Sequence, residues 1–219
     1  MSASLQALAA HGVRLKVLAQ VFSVLRHEVV GPLSNATLAA AMLRQTPEGA
    51  SPDALQQRCQ RLAGDLTGML EDSVAVVRDL DQWLADHGAI APADALLSEC
   101  RKLMFSHLLL SRRSVTWSET VAAVQLPTFA SRYLLLAWLL CLLQALPADS
   151  DLALDFSQAD AWHARFSAAP DFSAAPDFSG VQPATFDPQE VELLADASGW
   201  RLVRQADCWS LHLPVLPNK

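Results

Sequence analysis

Glycine is scarce, with eight in 219 residues. That leaves little of the glycine-rich loop that presents backbone N–H groups to the phosphates of a nucleotide. Basic charge is scarce too. Sixteen Lys and Arg against 23 Asp and Glu give a net charge of −7 and a pI near 5.2. A nucleic-acid binder would carry a basic face, so that class is set aside. The four cysteines, Cys59, Cys100, Cys141 and Cys208, lie far apart without ligand spacing, and they suggest neither a zinc site nor a disulfide framework. The N-terminus lacks the basic flank and apolar run of a signal peptide. The longest apolar run, Tyr133 to Leu143, falls well short of the roughly 20 residues of a spanning helix. The expected setting is cytoplasmic, with no membrane insertion and no nucleic acid.

What the chain does have is apolar bulk. It is 52% hydrophobic and 18% charged, so it can bury a core, and its length suits one large or two small domains. The most informative stretch runs from Phe22 to Ala36 and contains His27, Glu28, Gly31 and Pro32. Around it Leu15, Leu18, Phe22, Leu25, Val29, Leu33 and Leu43 recur at spacings of three and four, which predicts a helix with one apolar stripe. His27 falls nearly opposite that stripe, held away from the core. Pro32 lacks a backbone donor and crowds the preceding turn, so a bend is expected just past the histidine. His-Glu also opens a zincin motif, but Gly31 stands where the second histidine would have to be.

Residues 3–45 read as one long helix. Thr46 to Pro52 is a turn by composition, with Ser51 as N-cap and Pro52 and Asp53 opening a second helix that runs to about His87. Its stripe is Leu55, Cys59, Leu62, Leu66, Leu70, Val74, Val77, Leu80 and Leu84. Two such helices form an antiparallel hairpin, and the apolar surface left on both predicts pairing with a second copy as a four-helix bundle. From residue 90 the pattern changes: a helix from Ala93 to Leu110, a strand at Ser114 to Ser118, an apolar helix from Ser131 to Leu146, strands at Asp151 to Phe156 and Trp162 to Phe166, a helix from Pro188 to Ser198 stopped by Gly199, and a hairpin, Arg201 to Gln205 and Trp209 to Pro214. The expected fold class is α+β: a long helical hairpin forming a dimeric four-helix bundle, then a small α/β sandwich, divided at 1–89 and 90–219.

His27-Glu28-x-x-x-Pro32-Leu33 on a long first helix resembles the phosphoacceptor box of bacterial sensor histidine kinases, and the order of elements after residue 90 resembles their ATP-binding domain. The resemblance implies that His27 accepts a phosphoryl group, that Glu28 orients the ring or takes its proton, and that Pro32 kinks the helix. Members usually carry Thr or Asn four residues after the histidine for phosphatase chemistry, and Gly31 has no side chain to hold that water. Val24, Arg26, Val30 and Gly31 are the candidate partner contacts around His27.

The same resemblance exposes losses. The kinases take magnesium on an Asn-x-x-x-Asn pair from the apolar helix, and here those positions fall at Leu140 and Gln144. The Asp-x-Gly-x-Gly loop is replaced by a tandem Phe-Ser-Ala-Ala-Pro-Asp, with Gly180 as its only glycine. The second glycine-rich loop and its lid are missing as well. The chain is therefore similar to the dimeric histidine phosphotransferases descended from such kinases. The expected function is phosphoryl exchange between His27 and the aspartate of a response-regulator receiver domain, including one carried on a hybrid kinase. No cofactor is expected, with magnesium supplied by the receiver alone. The alternatives are a non-catalytic adaptor that binds a receiver or kinase, and an atypical ATP-dependent kinase.

Overall fold

A computed structural model describes residues 3–45, 51–110, 112–172 and 185–214. The chain is mixed helix and sheet, with a long N-terminal helix and a small sheet domain. It divides into two compact units, residues 22–85 and residues 1–21 with 86–219. Against the boundary drawn at residue 89, the first 21 residues therefore group with the α/β part.

Helix α1, Ala3–Leu43, runs unbroken through Pro32. Pro32 has no N–H to donate to the carbonyl one turn before it. The buried face of α1 differs from the expected stripe. Ala10, Val13, Val17, Val21, Leu25, Ala36 and Ala39 are buried, whereas Leu15, Phe22, Leu33 and Leu43 are exposed. Leu18 and Val29 are half-buried, and only Leu25 of the expected set is fully inside. Two apolar stripes run along this helix, and periodicity does not rank them. The small and β-branched stripe is the one that is buried.

Helix α2, Pro52–Leu84, starts as the sequence predicts. The Ser51 hydroxyl accepts from the Ala54 N–H, Pro52 occupies the first turn and Asp53 sits near the positive end. It ends at Leu84, three residues short of His87, and Gly88 takes a positive φ of 66° beyond it. Arg58 donates to the carbonyls of Met42 and Gln45 at 3.1 and 3.2 Å. It thereby satisfies acceptors left over at the end of α1 and joins the two helices. The expected turn over 46–50 lies outside the described residues.

α2 also carries two seams. Leu62, Leu66, Met69, Ser73, Val76, Leu80 and Trp83 are half or fully buried, at the alternating three-and-four spacing of a packed helix face. Leu70, Val74, Val77 and Leu84, expected on the same stripe, form a second row that is exposed.

In the other unit, β1 (Ile90–Pro92) leads into α3 (Ala93–Leu103) and α4 (Phe105–Leu110). The expected single helix over 93–110 is broken at Met104, whose side chain is buried. After β2 (Ser114–Val121) comes β3 (Gln125–Pro127), which pairs antiparallel with β1. Such three-residue strands leave almost no periodic signal, so this small sheet was not anticipated. Helix α5 (Thr128–Ala145) precedes β4 (Asp151–Phe156) and β5 (Ala161–Phe166), then α6 (Pro188–Ala197), β6 (Arg201–Arg204) and β7 (Cys208–His212). The five-stranded sheet runs β2-β4-β5-β7-β6, with β2 parallel to β4 and the other pairs antiparallel.

α5 packs between α3 and α6 and is apolar on every side because every side is covered. At 18 residues it is long and apolar enough to cross a membrane by length and composition, as is Ser4–Leu43. The uninterrupted run counted in the sequence understated both. α5, however, is mostly buried within this unit. Phe156, Trp162 and Trp200 meet edge to face at 5.2 and 5.5 Å in the buried core. Gly199 stops α6 with a φ of 72°.

Candidate functional site

His27 lies on α1 within the unit formed by residues 22–85, and its side chain is exposed. Its neighbours one turn away are Ser23 and Val24 before it, and Val30 and Gly31 after it. A helical side chain leans toward the N-terminus, so the ring lies over Ser23 and Val24, both of them short. On the other side Gly31 contributes no side chain, and a Cβ built there meets no atom within 4 Å. The imidazole thus stands above a low surface open to an incoming group. Arg26 and Val30 are exposed, while Val24, Glu28 and Pro32 are half-buried. The expected site residues all sit on this one helical segment. Glu28 follows His27 by one position, about 100° round the helix, so its carboxylate reaches the ring only from the flank.

The positions to which the kinase resemblance assigns a nucleotide-bound magnesium do not fit one. Leu140 is 1% exposed and has no donor atom. Gln144 has an amide oxygen, but that oxygen accepts the Phe186 N–H at 2.8 Å and fixes the approach to α6. Among the described residues no group of three or more His, Cys, Asp or Glu is placed to hold a metal ion. The second copy of the Phe-Ser-Ala-Ala-Pro-Asp repeat after its Phe172, and Gly180, lie outside the described residues. The first copy is anchored. The Asp171 N–H donates to the Ala145 carbonyl at 2.8 Å, and Phe172, which opens the second copy, stacks on Trp209 at 5.3 Å.

A cavity of about 210 Å³ opens beside Gln144, lined also by Lys16, Asp171, Phe186 and Glu190. Sequence reasoning missed Lys16 and Glu190. They are 174 positions apart, and nothing in either local pattern links them. Cys141 is a buried neighbour of this region. Burial, with Asp187 and Glu190 adding to it, pushes its thiol up to about 12, so it behaves as an apolar filler and not as a nucleophile. Burial likewise raises the Cys100 thiol. Cys59, expected on the apolar stripe of α2, is exposed instead.

The chain is similar to several solved structures. A bacterial phosphotransferase is 16% identical, with 90% of this chain and 95% of that one covered and a TM-score of 0.42. The Acinetobacter baumannii histidine kinase AdeS is 12% identical, with 88% and 98% covered and a TM-score of 0.45. The histidine kinase ThkA, in a complex with the response regulator protein TrrA, is 11% identical, with 93% and 64% covered and a TM-score of 0.42. No protein-family model and no curated protein matches the chain.

Proposed function

We propose that this chain is a histidine phosphotransferase of a two-component relay, exchanging a phosphoryl group between His27 and the aspartate of response-regulator receiver domains without using ATP. The observation that carries the reading is the pairing of an exposed His27, in a His-Glu-x-x-x-Pro setting, with a buried Leu140 where a metal ligand would be needed. A bare imidazole on a helix has no nucleotide of its own to draw on. It can still take a phosphoryl group that a partner delivers already activated.

In the transfer, a neutral ring nitrogen of His27 attacks the phosphorus of a receiver aspartyl phosphate in line. The N–P bond forms as the bond from phosphorus to the aspartyl oxygen breaks, and the carboxylate leaves with the electron pair. The proton on the other ring nitrogen is held or accepted by Glu28, which sets the tautomer. Catalysis is positioning and charge neutralisation, with the receiver's magnesium on the phosphoryl oxygens. Arg26 and Val30 are exposed beside the ring and belong to the docking surface together with Val24 and Gly31. The working form is a homodimer, because the exposed row Leu70, Val74, Val77 and Leu84 is a ready bundle seam on a helix whose other seam is already used.

The test is transfer from a phosphorylated receiver drawn from a panel. Label moves to the wild type and not to His27→Ala, a loss of at least ~10³-fold, as expected when the nucleophile itself is removed. Binding of the receiver with no label on wild-type protein would instead establish the adaptor reading. Magnesium-dependent ATP binding would restore the kinase reading.

A further inference from the structure

Lys16 has no part in phosphoryl transfer, yet it is among the most closely held cations in the chain. Its ammonium reaches both carboxylate oxygens of Glu190 on α6, at 2.8 and 2.6 Å. It also stands 4.8 Å from the centre of the Phe186 ring. The two side chains of the ion pair are 22% and 27% exposed. Each of its partners is fixed in turn. Glu190 accepts the Asp187 N–H at 2.9 Å within the capping box of α6, and Gln144 holds the Phe186 N–H.

We propose that the Glu190 carboxylate and the Phe186 ring form an ammonium receptor whose ligand is the chain's own Lys16, and that seating this side chain makes α1 up to Val21 part of the α/β unit. A two-oxygen carboxylate and a ring face are the groups that recognise a primary ammonium. Both are held from the α/β side, Glu190 by the Asp187 N–H and Phe186 by Gln144, so they select its position along the helix. Ala10, Val13, Val17 and Val21 supply contact on the same segment, but short apolar side chains specify direction weakly. Arg14 adds a second cation over an aromatic ring, 5.3 Å from the centre of Phe129. This inference goes beyond the phosphotransfer reading, and its test has a readout that does not involve transfer.

The experiment is hydrogen exchange of the α1 amides before residue 22 in the full chain. Lys16→Ala is expected to speed their exchange by about tenfold or more, because local opening no longer breaks the ion pair. Lys16→Arg, which keeps a cation on the same tether, retains most of the protection, and Glu190→Gln shows the same fast exchange as Lys16→Ala. Unchanged exchange in Lys16→Ala, or full protection in Lys16→Met, overturns the proposal, since the site would then read apolar volume alone. A wild-type measurement stands beside these should the variants not fold. Lysine-selective acetylation labels Lys16 at least about tenfold more slowly than exposed Lys102, as burial in an ion pair requires. Equal rates overturn the proposal.

Discussion

At the scale of single residues, exposure separates the histidines. His27 is open. His163 is tied through Nδ1 to the Ser210 hydroxyl at 2.8 Å. His107 is half-buried, and burial lowers its pKa from the ordinary 6.5, against an opposing hydrogen bond to the Gln20 backbone. The unfolded chain therefore takes up the proton first as pH falls. The stability contributed by neutral His107 is complete above 6.5 and is lost as pH falls from there toward the lower folded value. Between about pH 7 and about pH 5, the urea midpoint of the wild type should fall relative to that of His107→Gln. Equal pH slopes for the two would refute this. The exposure of His27 matches the expectation, although the stripe from which its angle was measured has only Leu25 fully inside. The coupling of His107 to Gln20 was not legible in the sequence, because it joins distant parts of the chain.

At the scale of elements, capping and turn chemistry were the clearest text. Ser51 with Pro52 opens α2, and Gly199 closes α6 at a positive φ. The inward face of α1 was misread because large side chains weighed more than small ones. In this hairpin the large residues stay outside while Ala36 and Ala39 go in. Gly12 is a weak point of that helix. It lies within the helix with open space around it, so Gly12→Ala should stabilise the protein by ~1 kcal/mol through helix propensity. The measurement is thermal or urea unfolding. A loss of stability would mean that another surface packs against this position.

At the scale of the whole molecule, the α/β part was readable as an order of elements but not as a set of long-range pairings. The β1–β3 sheet, the Gln144–Phe186 tie and the Lys16–Glu190 ion pair each join residues whose local patterns are silent about one another. The exposed seam of α2 bears on assembly. Val74 and Val77 are 50% and 51% exposed, on a row that a partner helix would cover. Light scattering should give twice the chain mass for the wild type. Val74→Glu combined with Val77→Glu should give a single chain mass with unchanged helicity, because two carboxylates in a bundle seam are strongly disfavoured. A wild type of single-chain mass would remove the homodimer.

One further consequence comes from α1 being unbroken from His27 to the buried Ala36 and Ala39 of the same unit. A continuous helix transmits angle as well as length, so adding one residue between His27 and Ala36 would swing the imidazole about 100° around the axis relative to that buried face. Seven added residues would bring it nearly back, about 10 Å further along. The spacer between the histidine and the buried alanines is thus a fixed phase as much as a distance: changes of side chain at its exposed positions are compatible with the bearing of the ring, and almost no change of length is.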